Sequence, residues 1–383
     1  MSYEFLPFSR PSISDAAIDE VVACLKSGWI TTGPRVTQFT EALQDYFAAP
    51  HVLPLMSATA GLHLTLLAMG LEPGDEVITT PLTFAATLNT IVLAGGKPVL
   101  IDIDPTTLNM DINLLKAAIT DRTRVIMPVH FAGLPVDLDP LYEIAYSHGL
   151  RVLEDAAHAI GTEYKGKRIG SFGDTQVFSF HPNKNMTTGE GGCVVTRDQA
   201  LAEQIARLRF HGMDRQAWNR YGKSGTQDYE IVLPGYKYNM MDIQAAIGIH
   251  QLKELNEFIA RRNELANRYQ EALSDWKEWS LPKRPAYEHL HSWHIYTPLI
   301  NEEVTGMNRN EFMQAMKEKN IGTGLHYHAV HLYPYYRQQY GFKLGDFPQA
   351  EEICERIVSL PLFPSMTDAE HDRVLDVMYS IFH

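Results

Sequence analysis

Short apolar segments alternate with helical patterns along the first half of the chain. The apolar segments are rich in β-branched residues, and several are apolar on both faces, as strands of a helix-covered parallel sheet are. They are EVITT (76–80), KPVLIDI (97–103), RVIMPVHF (124–131), RVLED (151–155), QVFSF (176–180) and GCVVT (192–196). Helical patterns such as TFAATLNTIVLAG and DPLYEIAYSHG separate the earlier ones. This alternation predicts an α/β fold with a doubly wound, mostly parallel sheet.

The pattern changes near Asp242, where one long helical segment begins. MDIQAAIGIHQLKELNEFIARRNELANRYQEAL has spaced apolar positions and no internal proline. It indicates a helix that leads to a smaller C-terminal α/β domain, which begins near Leu281. We therefore expect a large domain over residues 1–250, and the linking helix with the small domain over residues 251–383. Because no Gly/Ser linker separates the two, we expect them to pack rigidly against each other.

Composition and charge narrow the classes of protein. The 383 residues are 45% hydrophobic and 21% charged, as in ordinary globular proteins. A formal net charge of −13 argues against nucleic acid or a membrane surface as a partner, because both need a basic face. Three cysteines are too few for a disulfide framework, and neither a secretory signal nor an apolar run of about 20 residues is visible. These features predict a cytoplasmic protein.

Two segments place candidate ligand-binding groups at the ends of predicted elements. SATAG, which begins at Ser57, leads small and hydroxyl residues into an apolar helix, so that free backbone N–H groups could bind a phosphate. A helix cap that binds nothing has the same pattern. LEDAAHA places Asp155 at the end of a strand, where α/β sheets bind ligands, although an internal salt bridge would also explain it. His158, three residues later, is by itself more typical of a hydrogen-bonded core histidine than of a ligand contact.

The segment FSFHPNKNMTTGEGG places Lys184 between a buried strand and a glycine-rich turn. Most lysines are solvated, but partial desolvation at this position would lower the pKa of the amine, as imine chemistry requires. Two strands of one sheet could present Asp155 and Lys184 at the same edge. With the phosphate-binding helix end, they supply the parts of a pyridoxal phosphate (PLP) site, in which Asp155 keeps the pyridine nitrogen protonated and Lys184 binds the cofactor covalently.

Other motifs suggest different classes of function. GTEYKGKR (161–168) mimics the phosphate loop of nucleotide hydrolases, but Arg168 stands where the magnesium-binding hydroxyl residue belongs. Two histidine clusters, EHLHSWH and LHYHAVH, raise the alternative of a zinc hydrolase, but no acidic partners lie nearby and we expect no metal. Their members are His289, His291, His294, His326, His328 and His331. A non-catalytic protein with the same fold is disfavoured because the lysine, the aspartate and the phosphate turn are all present.

Six segments together resemble the sugar aminotransferases of the DegT/DnrJ/EryC1/StrS family, in the family's order and over essentially the whole chain. They are SGWITTGP, SATAG, GDEVIT, EDAAHA, FSFHPNKNMTTGEGG and PGYKYNMMDIQAA. The resemblance implies a PLP enzyme of the aspartate-aminotransferase-like (type I PLP) fold, with its N-terminal segment near the active site. It also implies a homodimer whose active sites are built from both chains.

The resemblance assigns roles to individual residues. Lys184 and Asp155 take the catalytic positions: Lys184 binds PLP covalently, and Asp155 holds its pyridine nitrogen. His158 bonds the ring hydroxyl, and Phe84 stacks on the ring where related enzymes have Trp, so that stacking is expected to be weaker. The residues that hold the phosphate are Thr59, Ala60, Ser179 and, from the neighbouring subunit, Asn239.

The substrate side is less sharply defined. SGWITTGP, PGYKYN, IGTGLHYHAVH and SLPLFPSMT are similar to members that transfer an amino group from L-glutamate to a UDP-linked 4-keto pentose in cell-envelope or lipid A sugar biosynthesis. Another nucleotide keto-sugar (a 4-keto-6-deoxyhexose or a 3-keto sugar) is the alternative. Lys237, His326 and Tyr327 are weaker candidates for substrate contacts. Residues 207–237 carry six basic against three acidic residues and could bind the nucleotide or the donor, although a solvated loop explains them equally well.

Overall fold

The structure, a computed structural model, describes residues 4–213 and 229–383. In chain order its strands are β1 (His51–Leu55), β2 (Glu76–Thr79), β3 (Lys97–Leu100), β4 (Thr123–Ile126), β5 (Arg151–Asp155), β6 (Glu163–Tyr164), β7 (Lys167–Arg168), β8 (Thr175–Ser179), β9 (Gly192–Thr196), β10 (Trp279–Ser280), β11 (His289–Leu290) and β12 (Leu299–Ile300). Its helices are α1 (Asp15–Ser27), α2 (Pro34–Phe47), α3 (Ala58–Ala68), α4 (Ala85–Leu93), α5 (Ile112–Ala118), α6 (Leu138–Ser147), α7 (Gln199–Leu208), α8 (Asp242–Leu273), α9 (Glu302–Thr305), α10 (Arg309–Glu318), α11 (Pro334–Tyr340), α12 (Pro348–Arg356) and α13 (Asp368–Phe382).

The central sheet has its strands in the order β1-β9-β8-β5-β4-β2-β3. From β8 to β3 neighbouring strands are parallel, whereas β9 runs antiparallel to both β8 and β1. The predicted α/β fold with a mostly parallel sheet is confirmed, and all six predicted strands are present. The edge strand β1 was missed because Pro54 interrupts its apolar pattern, and proline is tolerated at a sheet edge.

Helices cover both faces of the sheet. On one face, α2, α6 and α8 pack against side chains such as Phe178 and Val195. On the other, α3 and α7 pack against Val177 and Val194. Successive residues of β8 and β9 therefore enter different cores, which explains why these strands are apolar at nearly every position.

Gly192 allows the start of α3 to lie directly against the sheet. A Cβ atom on Gly192 would stand 2.6 Å from the backbone nitrogen of Ala58 and 2.6 Å from the carbonyl oxygen of Phe178. These distances are shorter than real Cβ contacts, so any side chain would push the helix and the strand apart. The glycine thus fixes the N-terminus of α3 beside the end of β8.

The C-terminal part of the chain has its own hydrophobic cluster, built around Tyr269, Tyr296 and Phe312 and joined by Leu6 from the N-terminal segment. Helix α8, 32 residues long, runs from the sheet into this cluster. Residue 250, where we expect the large domain to end, falls inside this helix, and the division into two domains stays a prediction. Neither α8 nor any other helix in the described part of the chain is both long and apolar enough to cross a membrane.

Candidate active site

A cavity of about 510 Å³ opens where β5 and β8 end. Cavities of about 300–1,000 Å³ are typical of small-molecule sites. The walls come from the starts of α3 and α4, from the segments after β5 and β8, and from residues 325–333. The structure brings most of the residues selected from the sequence into this cavity: Thr59, Phe84, Asp155, His158, Ser179, Lys184, His326 and Tyr327.

Asp155 is the last residue of β5, and its carboxylate lies at the floor of the cavity. One oxygen, Oδ2, accepts a hydrogen bond from Thr87 Oγ1 at 2.8 Å, and Oδ1 accepts one from the backbone N–H of Ala157 at 3.2 Å. Burial raises the pKa of the carboxyl group, while Thr87, Ala157 and the nearby Lys184 amine act in the opposite direction. The site therefore holds a buried carboxylate that a cationic ligand atom would stabilise.

Thr87 is a residue that sequence reasoning missed. Its hydroxyl donates to Asp155 and accepts a hydrogen bond from Thr83 at 2.7 Å. Thr83 precedes α4 and Thr87 lies in its first turn, and their hydroxyl groups form a hydrogen-bonded chain that leads to Asp155. Hydroxyl residues at this spacing in TFAAT were the available signal, but many helix starts have the same composition.

Lys184 follows β8 and lies in the wall of the cavity. Burial lowers the pKa of its amine to about 8, although the neighbouring Asp155 carboxylate acts in the opposite direction. Its Nζ lies 3.4 Å from Nε2 of His294. An amine with such a pKa is partly neutral near physiological pH, which is the state that attacks a carbonyl carbon.

His158 and Tyr327 form a hydrogen-bonded pair inside the cavity. The backbone N–H of Ala132 donates to His158 Nδ1 at 3.2 Å, so the neutral ring carries its hydrogen on Nε2. That nitrogen lies 3.0 Å from the Tyr327 hydroxyl. Burial and the nearby Lys184 hold the pKa of His158 well below its ordinary value. The N–H of this neutral ring faces the Tyr327 hydroxyl, and it can donate to a ligand oxygen that takes the place of that hydroxyl.

The N-terminus of α3 forms another wall. Ser57 caps the helix by accepting a hydrogen bond from the N–H of Ala60 at 3.1 Å. Thr59 faces the cavity, and Ser179 reaches it from the end of β8. Ala60 is buried behind this surface and is not among the residues that line the cavity. The first turn of α3 can therefore offer backbone N–H groups to an anion, with hydroxyl groups beside it.

Phe84 lies at the opening of the cavity with 59% of its surface exposed. Its ring centroid is 5.8 Å from that of Tyr327. An aromatic side chain with so much exposed surface is unfavourable in water unless a ligand or another protein surface covers it. It is therefore available to stack on a flat ring inside the cavity.

Asn239 and Lys237 do not line the cavity of their own chain. Asn239 donates through Nδ2 to Thr32 Oγ1 at 2.6 Å and accepts a hydrogen bond from the Lys237 amine. The phosphate contact that we expect of Asn239 involves the neighbouring subunit, so it stays a prediction, and so does the substrate contact of Lys237.

The remaining motifs fall elsewhere. GTEYKGKR forms the hairpin of β6 and β7, with Arg168 stacked over Tyr46 at 4.0 Å, and not a loop before a helix. The histidine clusters are divided: His291 stacks on Trp293, His331 bonds Glu351 at 2.9 Å, and His294 lies beside Lys184. Within residues 4–213 and 229–383 no group of His, Cys, Asp or Glu side chains is arranged to hold a metal ion. Much of the basic segment 207–237 (residues 214–228) lies outside the described residues.

The cavity fits PLP group by group. The buried Asp155 carboxylate would hold the protonated pyridine nitrogen, the Lys184 amine would bind the aldehyde carbon, and the start of α3 would hold the phosphate. His158 and Phe84 would contact the ring hydroxyl and the ring face. A mostly parallel sheet with this set of groups at its strand ends defines a PLP-dependent enzyme.

Comparison with known proteins gives the family. Residues 11–379 match the DegT/DnrJ/EryC1/StrS aminotransferase family, and the chain belongs to it. Its members are PLP-dependent sugar aminotransferases, and this protein is accordingly a PLP-dependent aminotransferase. The expected family, enzyme class and cofactor are confirmed.

Individual relatives cover almost the whole chain. The chain is 48% identical over 378 residues to the uncharacterized protein MJ1066 of Methanocaldococcus jannaschii. The match covers 98% of this chain and 97% of MJ1066. The chain is 47% identical over 381 residues to the spore coat polysaccharide biosynthesis protein SpsC of Bacillus subtilis, with the same coverage. Among solved structures, the PLP form of the putative sugar aminotransferase Spr1654 from Streptococcus pneumoniae superposes with a TM-score of 0.91 at 32% identity, over 98% of both chains.

Proposed function

We propose that this enzyme transfers the amino group of L-glutamate to a nucleotide-linked keto-sugar, of the UDP-4-keto-pentose type, in cell-envelope or lipopolysaccharide sugar biosynthesis. The observation that carries the proposal is the convergence of a buried carboxylate, an amine of lowered pKa and a helix N-terminus on one cavity. The sugar as acceptor is supported by relatives such as SpsC, whose name describes polysaccharide biosynthesis.

The residues of the cavity have distinct tasks in this reaction. PLP, when bound, supplies a carbonyl group for the donor amine and a ring that withdraws electrons from the donor α-carbon. The Lys184 Nζ, partly neutral because burial lowers its pKa to about 8, would take the proton from that α-carbon and return it on the other side of the transfer. Asp155 would keep a proton on the ring nitrogen, and Nε2 of His158 would donate to the ring oxygen.

The identity of the sugar depends on the resemblance of SGWITTGP, PGYKYN and IGTGLHYHAVH to enzymes known as UDP-4-amino-4-deoxy-L-arabinose–oxoglutarate aminotransferases. A pentose and a 6-deoxyhexose differ by one methyl group, which a pocket discriminates by only about 1–3 kcal/mol. An enzyme for another nucleotide keto-sugar is therefore the second candidate. His326 and Tyr327 line the cavity and would contact the substrate in either case.

A homodimer with shared sites is the proposed assembly. Helix α1 packs against α8 on one side and exposes Ile18, Val22 and Leu25 on the other, with 50%, 41% and 53% of their surfaces accessible. These residues recur at helical spacing and form one apolar face. The chain continues from this face to Thr32, which bonds Asn239. Asn239 therefore lies near this face and would meet the second copy if the face is the interface.

A panel of UDP- and dTDP-linked 4-keto pentoses and 4-keto-6-deoxyhexoses tests the proposal directly. Each is incubated with the PLP-loaded enzyme and L-glutamate, and the amino sugar and 2-oxoglutarate are quantified by mass spectrometry. We expect both products in equal amounts with the 4-keto pentose, and none with the Lys184→Ala variant. Formation of 2-oxoglutarate without an amino sugar would refute the proposed acceptor. A colourless protein with stoichiometric zinc and no visible absorption band would refute the reaction class.

A further inference from the structure

His294 is a buried histidine whose ring reaches the lysine of the cavity. Only 2% of its surface is exposed, and its Nε2 lies 3.4 Å from Nζ of Lys184. Its ring centroid is 4.3 Å from that of His158. It stands in EHLHSWH, one of the clusters that suggested zinc from the sequence, and nothing in the proposed chemistry uses it.

The hydrogen on the His294 ring is not fixed by a second partner. Across residues 4–213 and 229–383, its Nδ1 has no hydrogen-bond partner although it is buried. His158 differs, because the backbone N–H of Ala132 donates to its Nδ1 and so places the hydrogen on Nε2. The His294 ring can therefore carry its hydrogen on Nδ1 and present a lone pair at Nε2 to the lysine.

The position of the ring is fixed through its backbone. Arg262, which is 1% exposed on α8, donates through Nη1 to the carbonyl oxygens of Trp293 at 3.1 Å, His294 at 3.1 Å and Leu362 at 3.0 Å. The backbone N–H of His294 donates to the carbonyl oxygen of Ala132 at 2.9 Å. Contacts from α8 and from the segment after β4 thus hold His294 against Lys184.

We propose that His294 is a positioning residue for Lys184: Nε2 of its neutral ring accepts a hydrogen bond from the lysine ammonium and holds it facing the cavity. The ring stays neutral because burial and the nearby positive charge of Lys184 hold its pKa well below the ordinary value. A neutral acceptor stabilises the protonated amine without a second charge. Together with Asp155, His294 would offset part of the effect of burial, which by itself favours the neutral amine.

The charged and titratable groups around the pair come from several elements. Asp155 acts on Lys184 from β5, and Arg262 acts on His294 from α8. Lys184 in turn acts on His158 in the segment after β5 and on His326 in the segment before α11. Burial and Lys184 hold the pKa values of His158 and His326 below the ordinary value, so these two rings carry no charge that would repel the ammonium. Asp155 thus favours the protonated lysine through its charge, and His294 would do so through the proposed hydrogen bond.

The test measures how readily Lys184 is acylated as a function of pH in the full chain stripped of cofactor. Native protein and the variants His294→Phe and His294→Gln are labelled with acetic anhydride in short pulses, and the Lys184 peptide is quantified by mass spectrometry. Phenylalanine keeps the ring shape but removes the acceptor, whereas glutamine restores an acceptor near the position of Nε2. We expect the midpoint of labelling to fall by about one pH unit in His294→Phe, which gives about tenfold faster labelling below the midpoint. In His294→Gln we expect the midpoint of Lys184 labelling to lie close to the native value.

His291→Phe is the matched control, because it changes a histidine of the same segment that stacks on Trp293. A native midpoint for Lys184 in His294→Phe would overturn the inference, and so would an equal shift in His291→Phe. The inference deepens the proposed function but is separable from it. Failure of added PLP to attach to native Lys184 would refute the proposed function and leave the labelling result standing, whereas normal attachment with an unchanged midpoint would refute only the role of His294.

Discussion

At the scale of single residues, the cavity contains groups that are unfavourable for folding but suited to binding PLP. The Asp155 carboxylate is 5% exposed and its pKa is raised by burial, and the Lys184 amine has its pKa lowered for the same reason. Both shifts mean that the charged forms are destabilised where they stand. Such groups are typical of functional sites, because a ligand that pairs with them recovers the lost solvation.

Replacing Asp155 by asparagine removes the negative charge but keeps the shape of the side chain. We expect kcat to fall at least 100-fold, since the ring nitrogen would lose its proton, while PLP still binds to Lys184. Steady-state kinetics and the visible spectrum of the variant measure the two effects. Glu154→Gln is the control, because that neighbouring carboxylate bonds His130 and Tyr142 and not the cavity. A kcat within tenfold of native for Asp155→Asn would contradict the role of the carboxylate.

Lys184 should lower the stability of the cofactor-free protein. Its pKa of about 8 in the folded state is below the ordinary 10.5, so between these two pH values the unfolded chain binds more protons. The penalty is complete below pH 8 and is released as the pH rises from about 8 to 10.5. We therefore expect Lys184→Met to be more stable than native by about 1–3 kcal/mol at pH 7, with a smaller difference at pH 10.

Urea denaturation of both cofactor-free proteins at the two pH values measures this difference. Lys116→Met, on the exposed surface of α5, should leave the pH dependence of stability unchanged. Equal unfolding free energies for native and Lys184→Met at pH 7 would show that the amine is not destabilised by burial.

The residues that line the cavity could largely be selected from the sequence, because each stands near the end of a strand or the start of a helix. Asp155 closes RVLED, Lys184 follows QVFSF, and Thr59 opens an apolar helix. The supporting residues could not be selected. Thr87 contacts Asp155, 68 residues later in the chain, and His294 contacts Lys184, 110 residues earlier. The local sequence pattern carries no information about contacts between residues so far apart.

At the scale of elements, the site depends on the close approach of α3 to the sheet at Gly192. We expect Gly192→Ala to lower the unfolding free energy by about 1–3 kcal/mol, because the new Cβ would collide with the backbone at Ala58 and Phe178. Displacement of the start of α3 should also weaken PLP binding. Thermal unfolding and fluorescence titration with PLP measure the two effects. Native affinity in the variant would show that the phosphate is held elsewhere.

The elements themselves were largely predictable from the sequence. The six strands follow from apolar runs that are buried on both faces, and α8 follows from its long amphipathic pattern. The strand β1 was missed, and the antiparallel direction of β9 could not be predicted. Its direction is set by residues 180–191, which return the chain beside β8 so that Ser179 pairs with Gly192. The apolar pattern of a buried strand is the same for either direction.

At the scale of the whole molecule, the apolar face of α1 should hold two copies together. We expect Leu25→Glu to convert the dimer to monomer, because a buried unpaired charge in an interface is costly. Activity should fall with it, since each site would lose Asn239 of the other copy. Analytical ultracentrifugation detects the change in mass. Leu114→Glu is the control, with a leucine of similar exposure (42%) on α5. A dimer that survives Leu25→Glu would place the interface elsewhere.

The separation of Asn239 from the cavity of its own chain has a genetic consequence. If each site takes Lys184 from one polypeptide and Asn239 from another, a defect at either position disables a different half of the shared site. A cell that carries one allele with each defect would assemble some mixed pairs in which one intact site remains. The two alleles would then complement each other. A complementation test would score the two mutations as lying in different genes, although a single gene encodes the protein.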